Sequence, residues 1–130
     1  MKVAVIDDDP MQLELFARNL RHEYLDVLAL DNSIGVTNQI RAFKPDVVLI
    51  DLNMGNLLPG EQLLKMLLRE VPKSYYIVFS ADDATRLRRV VREVREALPD
   101  SYDALTRVDA MSKSSDWKQV VHKIKSFEDA

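Results

Sequence analysis

Short apolar segments alternate with longer amphipathic segments from one end of this sequence to the other. Five segments have the length and apolar character of strands: Lys2 to Ile6, Val27 to Leu30, Asp46 to Ile50, Tyr75 to Phe79 and, more weakly, Asp109 to Ser112. Two of them, VVLI and YYIVF, lack polar alternation, so we expect them at the centre of a sheet that is covered on both faces. Strands that alternate with helices predict an α/β fold with a doubly wound parallel sheet and right-handed crossovers.

The segments between the strands carry apolar residues at helical spacing. The first predicted helix begins behind Asp9, which can cap it, and Pro10, which suits its first turn. The second runs from a Ser33 cap and stops before Pro45, and the third ends at Pro72. The apolar stripes of the five predicted helices are Leu13, Phe16, Ala17, Leu20 and Tyr24; Val36, Ile40 and Phe43; Leu63, Leu64, Leu67 and Leu68; Leu87, Val90, Val91, Val94 and Leu98; and Trp117, Val120, Val121, Ile124 and Phe127, the last capped by Ser114 or Ser115.

Length and composition exclude several classes of function. The 130 residues predict one domain, residues 1–130. The net charge of −3 gives no overall attraction to nucleic acid or to an anionic membrane, and every apolar run is too short to span a bilayer. The absence of Cys excludes disulfides and thiolate metal sites and fits a cytoplasmic protein. The sequence contains no GxGxxG or GxxxxGK[ST] motif, which argues against dinucleotide and P-loop nucleotide binding.

Polar residues follow the apolar part of four strands, at the edge where a doubly wound sheet binds its ligands. They are Asp7, Asp8 and Asp9 after the first strand, Asp51 after the third, Ser80 after the fourth and Lys113 after the fifth. Crowded carboxylates repel one another unless a cation or hydrogen bonds offset their charge. An all-oxygen cluster without His or Cys suits a hard cation, and a few carboxylates that leave positions for water and phosphate suit Mg²⁺.

Each of these residues also has a simpler interpretation when it is considered alone. The DDDP segment can be a helix cap without any further role, Ser80 can belong to a turn, and Lys113 can be solvated. Asp51 is the strongest single candidate, because an acid directly after four apolar strand residues more often marks a site than a turn. The joint placement of these residues at four strand ends favours a functional site.

At these positions the sequence resembles the receiver domains of response regulators, along nearly its whole length. The resemblance implies a flavodoxin-like (βα)5 fold with strand order 2-1-3-4-5. It places the acidic pair of the family on Asp7 and Asp8, the phosphorylated aspartate on Asp51, the hydroxyl switch residue on Ser80 and the family lysine on Lys113. It also implies that Mg²⁺ is held by Asp8, Asp51 and the backbone carbonyl of Asn53, with Asp7 acting through water.

The function that this resemblance implies is a phosphorylation-controlled switch rather than a turnover enzyme. Asp51 is expected to accept a phosphoryl group from a sensor histidine kinase or a phosphotransfer protein. The modified domain then changes a surface around the fourth predicted helix, the fifth strand and the fifth predicted helix. That surface is expected to bind a downstream protein, an output domain or a second copy of the chain, with no direct contact to nucleic acid or membrane.

Two other functions remain open. The first is a Mg²⁺-dependent phosphohydrolase that forms an aspartyl phosphate on Asp51. It is disfavoured because Asn53 stands where such an enzyme has a second acid, and because no cap insertion encloses a substrate. The second is a degenerate receiver that dimerises without phosphate.

The fourth predicted helix carries three arginines on one face: Arg88, Arg92 and Arg95. This pattern favours a solvated helix face over contact with an acidic partner or a second copy of the chain.

Two departures from the family pattern bear on how the switch works. Ser80 and Lys113 lie 33 positions apart, which is longer than receivers usually have. The excess falls between Leu98 and Val108 and predicts an extended fourth helix or an extra helical segment before the fifth strand. Ala110 stands where the family commonly has a switch aromatic, so either Tyr102 takes that role or the signal follows another route.

Overall fold

Strands and helices alternate along the chain, as the apolar pattern predicts. The computed structural model describes residues 1–23, 25–31, 35–51, 60–80, 88–89, 92–93, 96, 108–112 and 117–128. Its elements are β1 (Lys2–Ile6), α1 (Pro10–His22), β2 (Asp26–Leu30), α2 (Val36–Phe43), β3 (Val47–Asp51), α3 (Gly60–Glu70), β4 (Tyr75–Ser80), β5 (Val108–Ser112) and a C-terminal helix (Trp117–Ser126).

The fourth predicted helix is described at five positions only. Residues 88, 89, 92, 93 and 96 are helical, and Arg88 and Arg92 are exposed, as a solvated face requires. The apolar stripe predicted for this helix, the Arg95 position and residues 98–107 of the predicted insertion lie outside the described residues.

The five strands form one parallel sheet in the order β2-β1-β3-β4-β5. This confirms the α/β fold and the strand order that the resemblance implies. Every residue of β3 is buried, as the uninterrupted VVLI run predicts for a central strand. Because all strands are parallel, the ends of β1, β3, β4 and β5 come to one edge of the sheet.

Helices cover both faces of the sheet because successive strand residues point to opposite sides. The face that packs against α1 and the C-terminal helix, here the α1 face, carries Val3, Val5, Val47, Leu49, Ile77 and Phe79. The opposite face packs against α2 and α3 and carries Ala4, Ile6, Val48, Ile50, Tyr76 and Val78. Among the described residues, no helix combines the length and the apolar character that a bilayer crossing requires.

Two of the three predicted helix caps can be compared with the structure, whereas Ser114 and Ser115, the predicted caps of the last helix, lie outside the described residues. The Asp9 carboxylate accepts hydrogen bonds from the backbone N–H groups of Met11 and Gln12 at 3.0 and 3.3 Å, so the predicted cap of α1 is confirmed. The predicted Ser33 cap of α2 is wrong, because the helix begins later and its N-cap is Gly35, with φ of 68° and no side-chain cap bond. Glycine adopts this left-handed backbone without a Cβ penalty, which explains why the turn into α2 falls there.

Candidate functional site

Three carboxylates from two strand ends converge at the carboxyl edge of the sheet. Asp7, Asp8 and Asp51 each offer an oxygen that lies within 4.8 Å of the oxygens of the other two. Asp7 and Asp51 are each only 3% exposed, whereas Asp8 is half-buried. The cluster is therefore closed on its sheet side and reaches solvent through Asp8.

Backbone contacts hold the first strand end of this cluster in place. The N–H of Asp7 donates to the carbonyl of Leu30 at 3.1 Å and so extends the pairing of β1 with β2 by one residue. The N–H of Asp9 donates to Oδ1 of Asp7 at 3.0 Å, while the side chain of Asp9 caps α1. The three consecutive aspartates thus have different structural roles: Asp7 and Asp8 join Asp51 in the cluster, whereas Asp9 caps α1.

The register of the sheet explains why Asp7 and Asp51 lie close together. Asp7 follows Val5 by two residues and Asp51 follows Leu49 by two residues, so both acids belong to the α1 face. Val5 and Leu49 are partners in the β1–β3 pairing. The acids therefore extend two neighbouring rows of apolar residues, and burial brings their charges together at the end of the core.

The donor set of the cluster fits Mg²⁺. All three groups are carboxylates, and Mg²⁺ prefers oxygen ligands, of which it uses one or two carboxylates and keeps several positions for water or phosphate. Three carboxylates at this spacing repel one another, and a divalent cation between them offsets that repulsion. The geometry is thus compatible with the metal site that the sequence predicts.

The other predicted site residues are described in part. Ser80 is the last residue of β4 and pairs with Ser112 at the end of β5, one residue beyond the pairing of Asp51 with Phe79. The backbone of Ser80 therefore ends at the same edge as the acids. Asn53 and Lys113 lie outside the described residues, so the structure does not test their predicted roles.

An aromatic pair beside the acids is a feature that the sequence reasoning missed. Phe16 of α1 and Phe79 of β4 have ring centroids 5.6 Å apart. Both line a small cavity whose walls also include Asp7 and Asp51. Sequence periodicity assigns Phe16 to the buried stripe of α1, but it does not show which strand residues that stripe meets.

Comparisons with known proteins agree with this geometry. A sequence profile described as the response regulator receiver domain matches residues 3–96. A search of curated protein sequences found no match.

Many solved structures share the fold. A Francisella response regulator 1452 receiver domain superposes with a TM-score of 0.78 at 20% identity, over 98% of this chain and 96% of that one. A CheY-like receiver domain protein from Methanospirillum hungatei gives 0.79 at 16% identity, over 98% and 94%. The fluoroberyllate-activated receiver domain of RstA from Klebsiella pneumoniae gives 0.78 at 20% identity, over 98% and 97%.

These structural likenesses show the fold, and the sequence profile covers well over half of the chain. Together with the strand order and the acidic cluster, they lead to one conclusion. The chain belongs to the response regulator receiver domain family.

Proposed function

We propose that this receiver accepts a phosphoryl group on Asp51 from a phosphohistidine of a sensor histidine kinase or a phosphotransfer protein. The observation that carries the proposal is the convergence of Asp7, Asp8 and Asp51 within 4.8 Å at the carboxyl edge of the sheet. Asp51 is the member that ends the central strand, and it lies between the ends of β1 and β4. That position surrounds one nucleophile with groups from several strands.

The proposed cation is Mg²⁺, held by Asp8 and Asp51, by the backbone carbonyl of Asn53 and, through water, by Asp7. When bound, Mg²⁺ supplies positive charge that offsets the negative charge of the transferred phosphoryl oxygens. The roles of the carboxylates follow from their burial. Asp8, which is half-buried, forms the side of the cluster that a ligand from solvent meets first, whereas Asp7 and Asp51 lie beneath it.

In the proposed transfer, a carboxylate oxygen of Asp51 attacks phosphorus as the phosphorus–nitrogen bond of the donor breaks. The donor imidazole, protonated on its other nitrogen, leaves as neutral histidine, and Asp51 becomes an acyl phosphate. Lys113 is proposed to place a positive charge beside the transferred group. Ser80 is proposed to donate a hydrogen bond to it after the transfer, which couples the modification to the end of β4.

We further propose that the modified domain changes a surface around the fourth predicted helix, β5 and the C-terminal helix. The support is the pairing of β4 with β5, in which Ser80 meets Ser112, so a movement at Ser80 reaches β5 directly. A downstream protein, an output domain or a second copy of the chain would bind this surface. No contact with nucleic acid or membrane is part of the proposal.

We also propose that residues 1–130 form one receiver domain. The profile match ends at residue 96, but β5 pairs with β4 and the C-terminal helix contributes Val120, Val121 and Ile124 to the α1 face. The part of the chain beyond the match therefore completes the same sheet and one of its two cores.

The proposed function is tested by phosphorylation with a small phosphodonor. The full chain is incubated with acetyl phosphate and Mg²⁺, and phosphate incorporation is followed by intact-protein mass spectrometry. We expect one phosphate on the unmodified chain, loss of incorporation on removal of Mg²⁺ with EDTA, and no incorporation in Asp51→Asn.

A matched control comes from the same edge of the sheet. Asp31 is exposed and follows β2, but it is outside the acidic cluster, so Asp31→Asn should be labelled like the unmodified chain. Undiminished labelling of Asp51→Asn would reject Asp51 as the acceptor. Release of inorganic phosphate from a generic phosphomonoester above background would instead support the phosphohydrolase alternative.

A further inference from the structure

The acidic cluster has an apolar neighbour on its α1 side. Phe16 and Phe79 pack with an interplanar angle of 57° and a centroid separation of 5.6 Å. Together with Asp7 and Asp51 they line a small cavity, and its remaining walls are Val5, Ile6 and Leu49. Two carboxylates and two aromatic rings thus line the same cavity.

Two parts of the backbone fix this arrangement: the pairing of β3 with β4, and helix α1. Phe79 is the register partner of Asp51 across the β3–β4 pairing, so both side chains belong to the α1 face. Phe16 lines the same cavity from α1. The N-cap of this helix, Asp9, directly follows Asp7 and Asp8 of the cluster. One helix therefore begins at the acidic cluster and, two turns later, places a ring against the strand that neighbours Asp51.

An apolar ring beside buried carboxylates changes the binding free energy of a cation at that site. Charged carboxylates are costly to bury unless a counter-charge or hydrogen bonds replace the lost water. A ring that keeps water from their α1 side weakens the solvation of the ion-free cluster. The cluster is then more strongly stabilised when a divalent cation enters, since apolar surroundings control solvent access to a metal site and the local dielectric.

We propose that Phe16 is a positioning residue of the metal site: its ring, packed on Phe79, closes the α1 side of the acidic cluster and strengthens divalent cation binding there. This inference rests on the proposed function insofar as it takes the cluster to bind Mg²⁺. It adds a residue that touches the acids' cavity without offering any ligand atom.

Phe16 differs in this respect from the rest of its helix. Leu20 lies one turn further along α1, is 1% exposed and belongs to the same core, but it does not line the cavity. Phe16 is only half-buried, so this lining residue is itself in contact with both the cavity and solvent. Removing Phe16 should open the cavity to water, whereas removing Leu20 should only loosen the core.

The test is a Mg²⁺ titration of the full chain, monitored by isothermal titration calorimetry and by the amide NMR signals of the acidic residues. Phe16→Ala should weaken Mg²⁺ binding roughly tenfold, the size typical for groups that surround metal ligands. Phe16→Leu restores an apolar side chain of similar reach and should bind within about threefold of the unmodified chain. Leu20→Ala should lower thermal stability and leave the affinity unchanged.

The outcomes separate this inference from the proposed function. If the unmodified chain binds no Mg²⁺, the metal site of the proposed function fails. If it binds Mg²⁺ and Phe16→Ala binds equally well, or if Leu20→Ala weakens binding as much, the role of Phe16 is rejected. Should Phe16→Ala not fold, Phe16→Gln keeps a long side chain but places a polar group in the cavity, and an unchanged affinity of that variant likewise rejects the inference.

Discussion

Replacing Asp7 by Asn should stabilise the metal-free protein, because it removes one of three charges that burial forces together. Asp7 is 3% exposed, and its carboxylate lies within 4.8 Å of those of Asp8 and Asp51. At that separation, two unit charges in an effective dielectric of about 20 repel by roughly 3.5 kcal/mol. Asn keeps the Oδ1 that accepts the Asp9 N–H bond, so the substitution changes the charge and preserves this contact.

The net gain is smaller than the sum of the two repulsions. Each carboxylate spreads its charge over two oxygens, and the hydrogen bond that Asp7 accepts from the Asp9 N–H offsets part of the repulsion. We expect Asp7→Asn to raise the free energy of unfolding by about 1–3 kcal/mol in EDTA, which corresponds to a rise in Tm of roughly 3–10 °C for a chain of this size.

Mg²⁺ should reduce the stability advantage of Asp7→Asn by roughly 2 kcal/mol. A ligand at one hundred times its Kd stabilises the folded state by about 2.7 kcal/mol, and the unmodified chain should gain this amount. Asp7→Asn should gain less than about 1 kcal/mol, because a Kd weakened by roughly 25-fold or more leaves the same concentration at no more than about four times Kd. Urea unfolding followed by circular dichroism, with EDTA and with Mg²⁺, measures both quantities.

The comparison can refute the electrostatic reasoning directly. If Asp7→Asn is no more stable than the unmodified chain in EDTA, the acids do not repel one another as their spacing requires. If both proteins gain the same stability from Mg²⁺, Asp7 takes no part in binding the cation.

Two further predictions concern the ends of helices. Asp9→Ala should lower stability by about 1 kcal/mol relative to Asp9→Ser, since both variants lose the charge but only Ser keeps an oxygen for the N–H groups of Met11 and Gln12; equal urea midpoints would reject the cap. Lys44 ends α2 with φ of 55°, so Lys44→Gly should raise stability by about 0.5–1 kcal/mol, whereas Lys65→Gly within α3 should lower it by a similar amount. Urea unfolding of both glycine variants checks the sign, and a loss of stability in Lys44→Gly would contradict the reasoning.

The sequence alone determined the alternation of elements and the buried side of most helices. Short apolar runs without polar alternation are typical of strands that are covered on both faces, and this pattern already predicts the central positions of β3 and β4. The stripe of α3, from Leu63 to Leu68, is buried as its spacing predicts. These features follow from local periodicity, which depends on residues close together in the chain.

Tertiary structure decided everything that depends on contacts between distant segments. Asp7 and Asp51 share a cluster because the β1–β3 register aligns Val5 with Leu49, and no local pattern contains that register. The N-cap of α2 is Gly35 instead of Ser33 because the backbone takes a positive φ there, which a search for capping side chains does not capture. The meeting of Phe16 with Phe79 beside the acids likewise arises only when α1 packs on the sheet. The residue types thus determine the chemistry of the candidate site, whereas the fold brings these residues close together and buries them.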